Sequence, residues 1–289
     1  MTKNLKRGQY QIGELVFGRN TMFPVETREI NGYEINDQSY QLDQSDENRF
    51  GLDSKKPAPI TLTMGYLMNG PIDNILGFAG DPEMDFSQDP ALGDLTAEWE
   101  ADALFKSWGE LKPLYYCRRD GQVLMIFGRP GRISYRAPNF KANFIRITAE
   151  YRRADIKCYS EEEYFTVVES ANTPETVYRG NGNTDTWFRI WLRGPMVNPV
   201  INWGPQQITL NHTIPADTVV EISTYPWARR IVDSNGLSLA SKLTGPDPYL
   251  DRLKFRAGEF RQISWNASGI IGGTSQLVFL HREAWNTLD

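Results

Sequence analysis

Histidine and cysteine are nearly missing from this sequence. His212, His281, Cys117 and Cys158 are the whole supply in 289 residues. A zinc site gathers three or four such ligands at close spacing. None of these four stands at C-x-x-C or H-x3-H distance, so no metal site and no cofactor is expected. The two cysteines lie 41 positions apart, and two small half-buried thiols are the expectation rather than a disulfide or a reactive thiol. Scarce histidine also leaves nucleophile–histidine catalysis without a supporting pattern: neither a Cys117–His212 nor a Ser–His212 pair has a motif around it. G-x-S-x-G, G-x-x-x-x-G-K-[ST] and G-x-G-x-x-G are all absent. Gly180-Asn-Gly182-Asn183 has no apolar helix pattern after it and reads as a turn between strands. Long apolar runs are missing too: the mean hydropathy is −0.48 and nothing approaches the ~18 residues of a membrane helix. The first eight residues carry positive charge with no apolar stretch behind them, so no secretory signal and no membrane partner are expected. Excess positive charge is absent as well. Lys+Arg 31 against Asp+Glu 36 gives a net charge of −5, which speaks against whole-chain nucleic-acid binding.

What is present is a period of two. Ile60, Leu62, Met64, Tyr66 and Met68 alternate with Thr61, Thr63 and Gly65. Ile145, Ile147, Ala149 and Tyr151 alternate with Arg146, Thr148, Glu150 and Arg152. Phe188, Ile190 and Leu192 follow the same rule, as do Ile208, Leu210, His212 and Ile214, and Leu253, Phe255 and Ala257. Such alternation makes strands with one buried and one wet face, and it places His212 inward. The run from Val123 to Phe127 fits a strand covered on both faces. One segment departs from this period. Ala97, Ala101, Leu104, Phe105 and Trp108 recur at helical spacing, which predicts one α-helix over about 94–109, capped by Asp94 and stopped by Gly109 and Pro113. A short helical turn is expected near Tyr249 to Leu253.

Charge is unevenly distributed. Residues 73–110 hold ten acidic side chains and one basic, net −9, whereas residues 111–157 hold eleven basic and three acidic, net +8. Three readings fit these adjacent blocks. They could be solvated faces without a message. They could be complementary faces of neighbouring subunits, an arrangement that runs head to tail and builds a ring. Or Arg118, Arg119, Arg129, Arg132, Arg136, Arg146, Arg152 and Arg153, with Tyr115, Tyr116 and Tyr135 for stacking, could form a nucleic-acid patch, a reading that the overall acidity opposes. The polar run Ser160-Glu-Glu-Glu163 and the turn chemistry of Asn172-Thr-Pro174 put a domain boundary between Tyr159 and Tyr178, giving domains over 1–165 and 166–289. Turn signals every 8–20 residues then describe an antiparallel sandwich to the end of the chain.

Three stretches carry a resemblance. Asp43-Gln-Ser-Asp-Glu-Asn-Arg49-Phe-Gly51-Leu-Asp53 leads into Pro59-Ile-Thr-Leu-Thr-Met64. Phe144-Ile-Arg-Ile-Thr-Ala-Glu-Tyr-Arg-Arg-Ala154-Asp155-Ile-Lys-Cys-Tyr159 is a strand with an Ala-Asp-x-x-x-Tyr exit. Asn198-Pro-Val-Ile-Asn-Trp-Gly204 precedes Val219-Val-Glu-Ile222, Ala228-Arg-Arg-Ile-Val232 and Arg256-Ala-Gly258. In this order, over nearly the whole chain, the sequence resembles the distal tail proteins, or minor tail proteins, of long non-contractile-tailed bacteriophages. The resemblance implies a mainly β fold: a β-rich, ring-forming N-terminal domain with one helix, and a C-terminal galectin-like antiparallel β-sandwich. It implies a structural adaptor with no catalysis. Six copies form a ring that joins the tail tube protein to the tail-tip hub protein and carries fibre or receptor-binding proteins. Such a protein sits in the virion tail tip after assembly in the host cytoplasm, with no sequence-specific nucleic acid as partner.

Within that frame the candidate interface residues are Arg129, Arg132, Arg136, Arg146 and Arg152 against Glu98 and Asp102. The stretch from Leu67 to Asp94 is longer and more acidic than the pattern implies. A different class of function is a carbohydrate-binding module contacting the host cell surface, with Trp203, Asn202 and Asn211 as the combination to inspect; Trp187, Trp191 and Trp227 are the other tryptophans at hand, and burial is the default for each. A glycan-degrading enzyme would need two carboxylates roughly 5–10 Å apart, and no spacing motif supports that pair.

Overall fold

The computed structural model describes residues 3–30, 32–36, 40–41, 48–49, 54–67, 89–100, 110–136, 144–246, 248–270 and 275–286. Its contacts divide the chain into two units, Met1–Cys158 with Thr287–Asp289, and Tyr159–Asn286. The division falls before the strand Tyr164–Val168 because that strand hydrogen-bonds to Gln276–His281 near the end of the chain, a pairing that sequence composition does not reveal. Both units are built from antiparallel strands.

The N-terminal unit contains β1 (Gln9–Ile12), β2 (Leu15–Gly18), β3 (Val25–Ile30), β4 (Tyr33–Asn36), β5 (Ser54–Pro57), β6 (Ile60–Leu67), α1 (Pro90–Trp99), β7 (Leu114–Cys117), β8 (Val123–Ile126), β9 (Gly128–Arg136) and β10 (Phe144–Arg153). One sheet has the strand order β2-β1-β7-β8, and a second has β9-β10-β6-β3. β4 and β5 form a separate ribbon, in register from Tyr33 opposite Pro57 to Asn36 opposite Ser54. The alternation read from the sequence is realised here: Ile60, Leu62, Met64 and Tyr66 of β6 and Ile145, Ile147, Ala149 and Tyr151 of β10 are all buried. Tyr151 ties the second sheet to the first. Its hydroxyl accepts from the Leu114 amide at 3.1 Å and has the carbonyls of Lys112 and Ile126 within 2.9 Å for its one proton. Beside it, Gly128 admits no side chain, since a Cβ there would lie 2.2 Å from the Arg152 carbonyl oxygen and 2.7 Å from the Tyr151 ring.

The helix begins earlier than its periodicity suggested. Asp89, not Asp94, is the N-cap, accepting from the Ala91 and Leu92 amides, with Pro90 in the first turn. The buried stripe is Leu92, Leu95 and Trp99, whereas Ala97 and Asp94 are exposed. Trp99 anchors the helix by donating its indole N–H to the Glu150 carbonyl at 3.1 Å. Ala101, Leu104, Phe105 and Trp108 lie outside the described residues. The Asp89 carboxylate also accepts from the Tyr66 hydroxyl at 2.8 Å, and burial together with that carboxylate pushes the Tyr66 phenol up to about 12.

The C-terminal unit is a sandwich. Its strands are β11 (Tyr164–Val168), β12 (Glu175–Tyr178), β13 (Phe188–Arg193), β14 (Val200–Trp203), β15 (Gln206–Leu210), β16 (Val219–Ser223), β17 (Arg230–Asp233), β18 (Leu243–Thr244), β19 (Phe260–Asn266) and β20 (Gln276–His281), with a few two- and three-residue strands besides. One sheet has the order β11-β20-β13-β16-β17 and the other β12-β19-β14-β15-β18. Their inner faces share one apolar core. At its centre the Trp203 ring packs on Phe279 at 4.8 Å, Phe188 at 4.8 Å and Phe255 at 5.2 Å, joining residues from both sheets.

Two strands read from the pattern are not continuous. The alternation through His212 breaks after Leu210: His212 sits half-buried in a bend, and Thr213–Ile214 pairs instead with Met196–Val197. Leu253 to Ala257 forms no strand: it makes a single bridge, from Phe255 to Thr186, and turns at Ala257, after a 3-10 turn at Leu250–Arg252 that matches the expected helical turn. Both cysteines are buried and no disulfide joins them. Burial pushes the Cys158 thiol up to about 12. Among the described residues no helix is long and apolar enough to cross a membrane.

Candidate functional site

The five candidate arginines come together on one sheet face of the N-terminal unit. β10 alternates, with Ile145, Ile147, Ala149 and Tyr151 turned to the core, so Arg146 and Arg152 stand on the opposite face. The register with β9 puts Arg129 across from Arg152 and Arg136 across from Arg146. Arg132 lies between them, in the bulge separating Pro130 from Ile133, and is exposed. Like charges directly opposite on neighbouring strands repel and destabilise the pair. The face therefore concentrates positive charge along the β9 side at a cost to the isolated subunit.

Part of that charge is engaged locally. Arg129 donates to the Glu110 carbonyl and Arg152 to the Pro130 carbonyl. Arg146 pairs with Glu26 at 3.2 Å. That bridge spans the sheet: Arg146 is registered with Gly65 on β6, and Glu26 belongs to β3 beyond it. Glycine is what leaves room, because a Cβ at position 65 would sit 3.0 Å from Glu26 Oε1 and 3.0 Å from the Phe144 ring. Both partners are solvent-accessible, so the pair contributes at most about 1 kcal/mol.

Across the same face the chemistry changes. Threonines 61, 63 and 148, Ser134 and the half-buried Glu150 occupy the middle, while β3 presents the exposed Glu26, Thr27 and Glu29. β9 and β3 are the terminal strands of this sheet among the described residues. One edge is thus basic and the other acidic. The sequence pattern located the arginines; it did not point to Glu26 and Glu29, which lie far from the acidic block of residues 73–110.

The two acidic candidates fare differently. Glu98 on α1 works within its own unit: it accepts from the Glu14 amide at 3.2 Å and pairs with the Lys112 ammonium. Asp102 lies outside the described residues, as does most of the acidic stretch after Leu67.

The proposed sugar-contact trio is not brought together. Trp203 is fully buried in the sandwich core and offers no ring face to a ligand. Asn202, its neighbour on β14, points to the outer face, and Asn211 is exposed beyond the end of β15. Sequence reasoning overlooked a different aromatic feature. Tyr178 and Phe260 are registered across β12 and β19, stack at 4.2 Å and are 52% and 69% exposed. Their positions at the outward parity of two strands were the available signal.

No protein-family model matches the chain, and no curated protein matches it. Solved structures do. The crystal structure of the SPP1 Dit protein, described as a paradigm of the hub adsorption apparatus in phages infecting Gram-positive bacteria, aligns with a TM-score of 0.58 at 12% identity, covering 96% of this chain and 98% of that one. The phage P2 baseplate in its activated conformation aligns with a TM-score of 0.50, at 9% identity in its calcium form and 10% in its strontium form, covering 95% of this chain and 97% of that one. The mainly β fold, with one α-helix among the described residues, is therefore shared with these phage hub and baseplate structures.

Proposed function

We propose that this chain is a structural adaptor of a phage tail tip, acting without catalysis or cofactor. Six copies form a ring through the N-terminal unit. The ring connects the tail tube to the tail-tip hub, and the C-terminal sandwich, galectin-like in this reading, anchors peripheral tip or fibre proteins. The virion tail tip is its place of action, reached by assembly in the host cytoplasm. The observation that carries this reading is the sheet whose β9 side bears Arg129, Arg132 and Arg136 and whose β3 side bears Glu26 and Glu29. A heterologous contact brings unlike edges together, and repeated with a closing rotation it makes a ring. Opposite charge on the two edges sets the direction of that contact and disfavours like edges meeting. Covering both edges in the assembly also removes two strands open to unwanted pairing. The shared fold with the hub and baseplate structures, over nearly the full length of both chains, supports the same role.

Negative-stain imaging of the concentrated protein tests this. Closed rings with six-fold symmetry and a central opening are expected, and the Arg132→Glu, Arg136→Glu double variant, which reverses exposed charge on the β9 edge itself, is expected to lose them. Open filaments, or rings that persist in the double variant, would overturn the charge-matched contact.

A further inference from the structure

The outer face of the sheet β12-β19-β14-β15-β18 is chemically unlike that of the sheet it packs against. Charged residues make up 23% of the chain, yet the strand registers place no charged side chain at any outward position on these five strands. The opposite sheet shows the contrast, with Glu221 on its outer face paired to Arg189 at 3.3 Å and to Arg230 at 2.9 Å. In place of charge the neutral face carries amides and hydroxyls. Gln207 donates to Asn202 Oδ1 at 3.0 Å, and Asn202 donates to the Ser264 hydroxyl at 3.2 Å. These two bonds orient a polar row across β15, β14 and β19. Gln262 is exposed one outward position along β19 from Ser264, and its amide makes no hydrogen bond among the described residues. One further outward position along, the row meets the stacked, exposed rings of Tyr178 and Phe260. At the rise of an antiparallel strand, Phe260 and Ser264 stand about 13 Å apart.

We propose that this face binds a neutral glycan. The two rings supply a flat apolar platform for the C–H face of one sugar, and Gln262, Ser264, Asn202 and Gln207 exchange hydrogen bonds with the hydroxyls of the next. A protein partner is a poorer fit. Beyond the two rings Val200 is the only apolar side chain at an outward position, so the face lacks the apolar centre of a stable protein interface. An anionic polymer finds no cation there. A neutral oligosaccharide matches both the missing charge and the pairing of rings with oriented amides. The inference stands on the C-terminal unit alone and does not depend on ring formation.

The test is a printed array of neutral and anionic oligosaccharides probed with the full chain. Calorimetric titration of the strongest neutral ligand into wild type, Phe260→Ala and Gln262→Ala then follows. Retention of neutral oligosaccharides is expected, with affinity falling about tenfold or more in each variant, the scale of one well-placed contact. Gln262 is exposed without a side-chain hydrogen bond among the described residues, so the Gln262→Ala midpoint should stay at the wild-type value. Phe260→Ala loses its stack with Tyr178 and should lower the midpoint only by the small contribution of one cross-strand pair, which separates loss of binding from loss of fold. Retention of anionic glycans only, no retention of any neutral glycan, or binding that survives both substitutions would overturn the proposal.

Discussion

Arg179 and Glu283, 104 residues apart in sequence, form a buried ion pair at 3.0 Å that organises one end of the C-terminal sandwich. The Arg179 side chain is 0% exposed. Beyond the carboxylate, its guanidinium donates to the carbonyls of Thr184, Phe255 and Ala284. Glu283 accepts from the Asn181 amide as well, and its own backbone exchanges hydrogen bonds with Ser160. Three chain segments converge on one arginine, which adds a second donor to the Phe255 and Ala284 carbonyls already bonded to the Thr186 and Asn183 amides. This is what holds the turn at Gly180 and Gly182 in place.

Removing either partner of this pair strands the other. Arg179→Met or Glu283→Gln is expected to destabilise the C-terminal unit by about 3–5 kcal/mol, because the remaining charge or donors lie buried without compensation. The double variant Arg179→Met, Glu283→Met should cost clearly less than the sum of the single changes. Denaturant unfolding of the four proteins gives the cycle; additive losses would contradict the coupling.

His281 makes stability pH-dependent. Its ring lies among Tyr164, Phe255 and Phe279, its Nδ1 is buried without a hydrogen-bond partner among the described residues, and burial followed by repulsion from Arg179 lowers its pKa to about 4. Between pH 6.5 and about 4 the unfolded chain therefore binds a proton that the folded one refuses. The stabilisation is fully present above pH 6.5 and is lost as pH falls through this window, by on the order of 3 kcal/mol in total. His281→Phe should reduce the pH slope of stability over that range. A variant whose slope equals that of wild type would refute the assignment.

Asp89 serves two structures at once, capping α1 and accepting from the buried Tyr66 hydroxyl. Asp89→Ala is expected to cost about 2–4 kcal/mol, a cap plus one stranded hydroxyl. Asp89→Asn keeps an acceptor for both and should recover most of it. Thermal melts followed by circular dichroism compare the two; equal losses would show that the acceptor is not what matters.

The period-two strands were legible because one face of each is core: β10 and β13 follow their alternation along their length, and β6 follows it from Ile60 to Met64. The same rule already separated Trp203 from Asn202, since neighbours on a strand cannot share a face. The helix start was misplaced although its signal was present: the pair Asp89-Pro90 marks an N-cap and first turn more strongly than Asp94 does. The breaks at His212 and at Leu253 were not legible, because they depend on which distant strand each segment meets. Within the candidate interface the arginines could be found from local pattern. Glu26 could not, because its approach to Arg146 depends on Gly65 lying between them in the folded sheet.

The arginine face predicts a trade between stability and assembly. Arg136 stands opposite Arg146, so Arg136→Thr should stabilise the isolated N-terminal unit by about 0.2–1 kcal/mol. The same change should weaken self-association by removing one charge from the basic edge. Measuring the unfolding midpoint and the association constant on the same preparation checks both. A variant that is less stable, or that associates more tightly, would count against a face built for a neighbour.

The most direct test of the ring is the mass of the purified protein in solution, followed by light scattering across protein concentration at low and high salt. A closed assembly near six subunits that loosens as salt screens the charged edges is the predicted result. A monomer at every concentration and both salt strengths would contradict self-assembly through these edges.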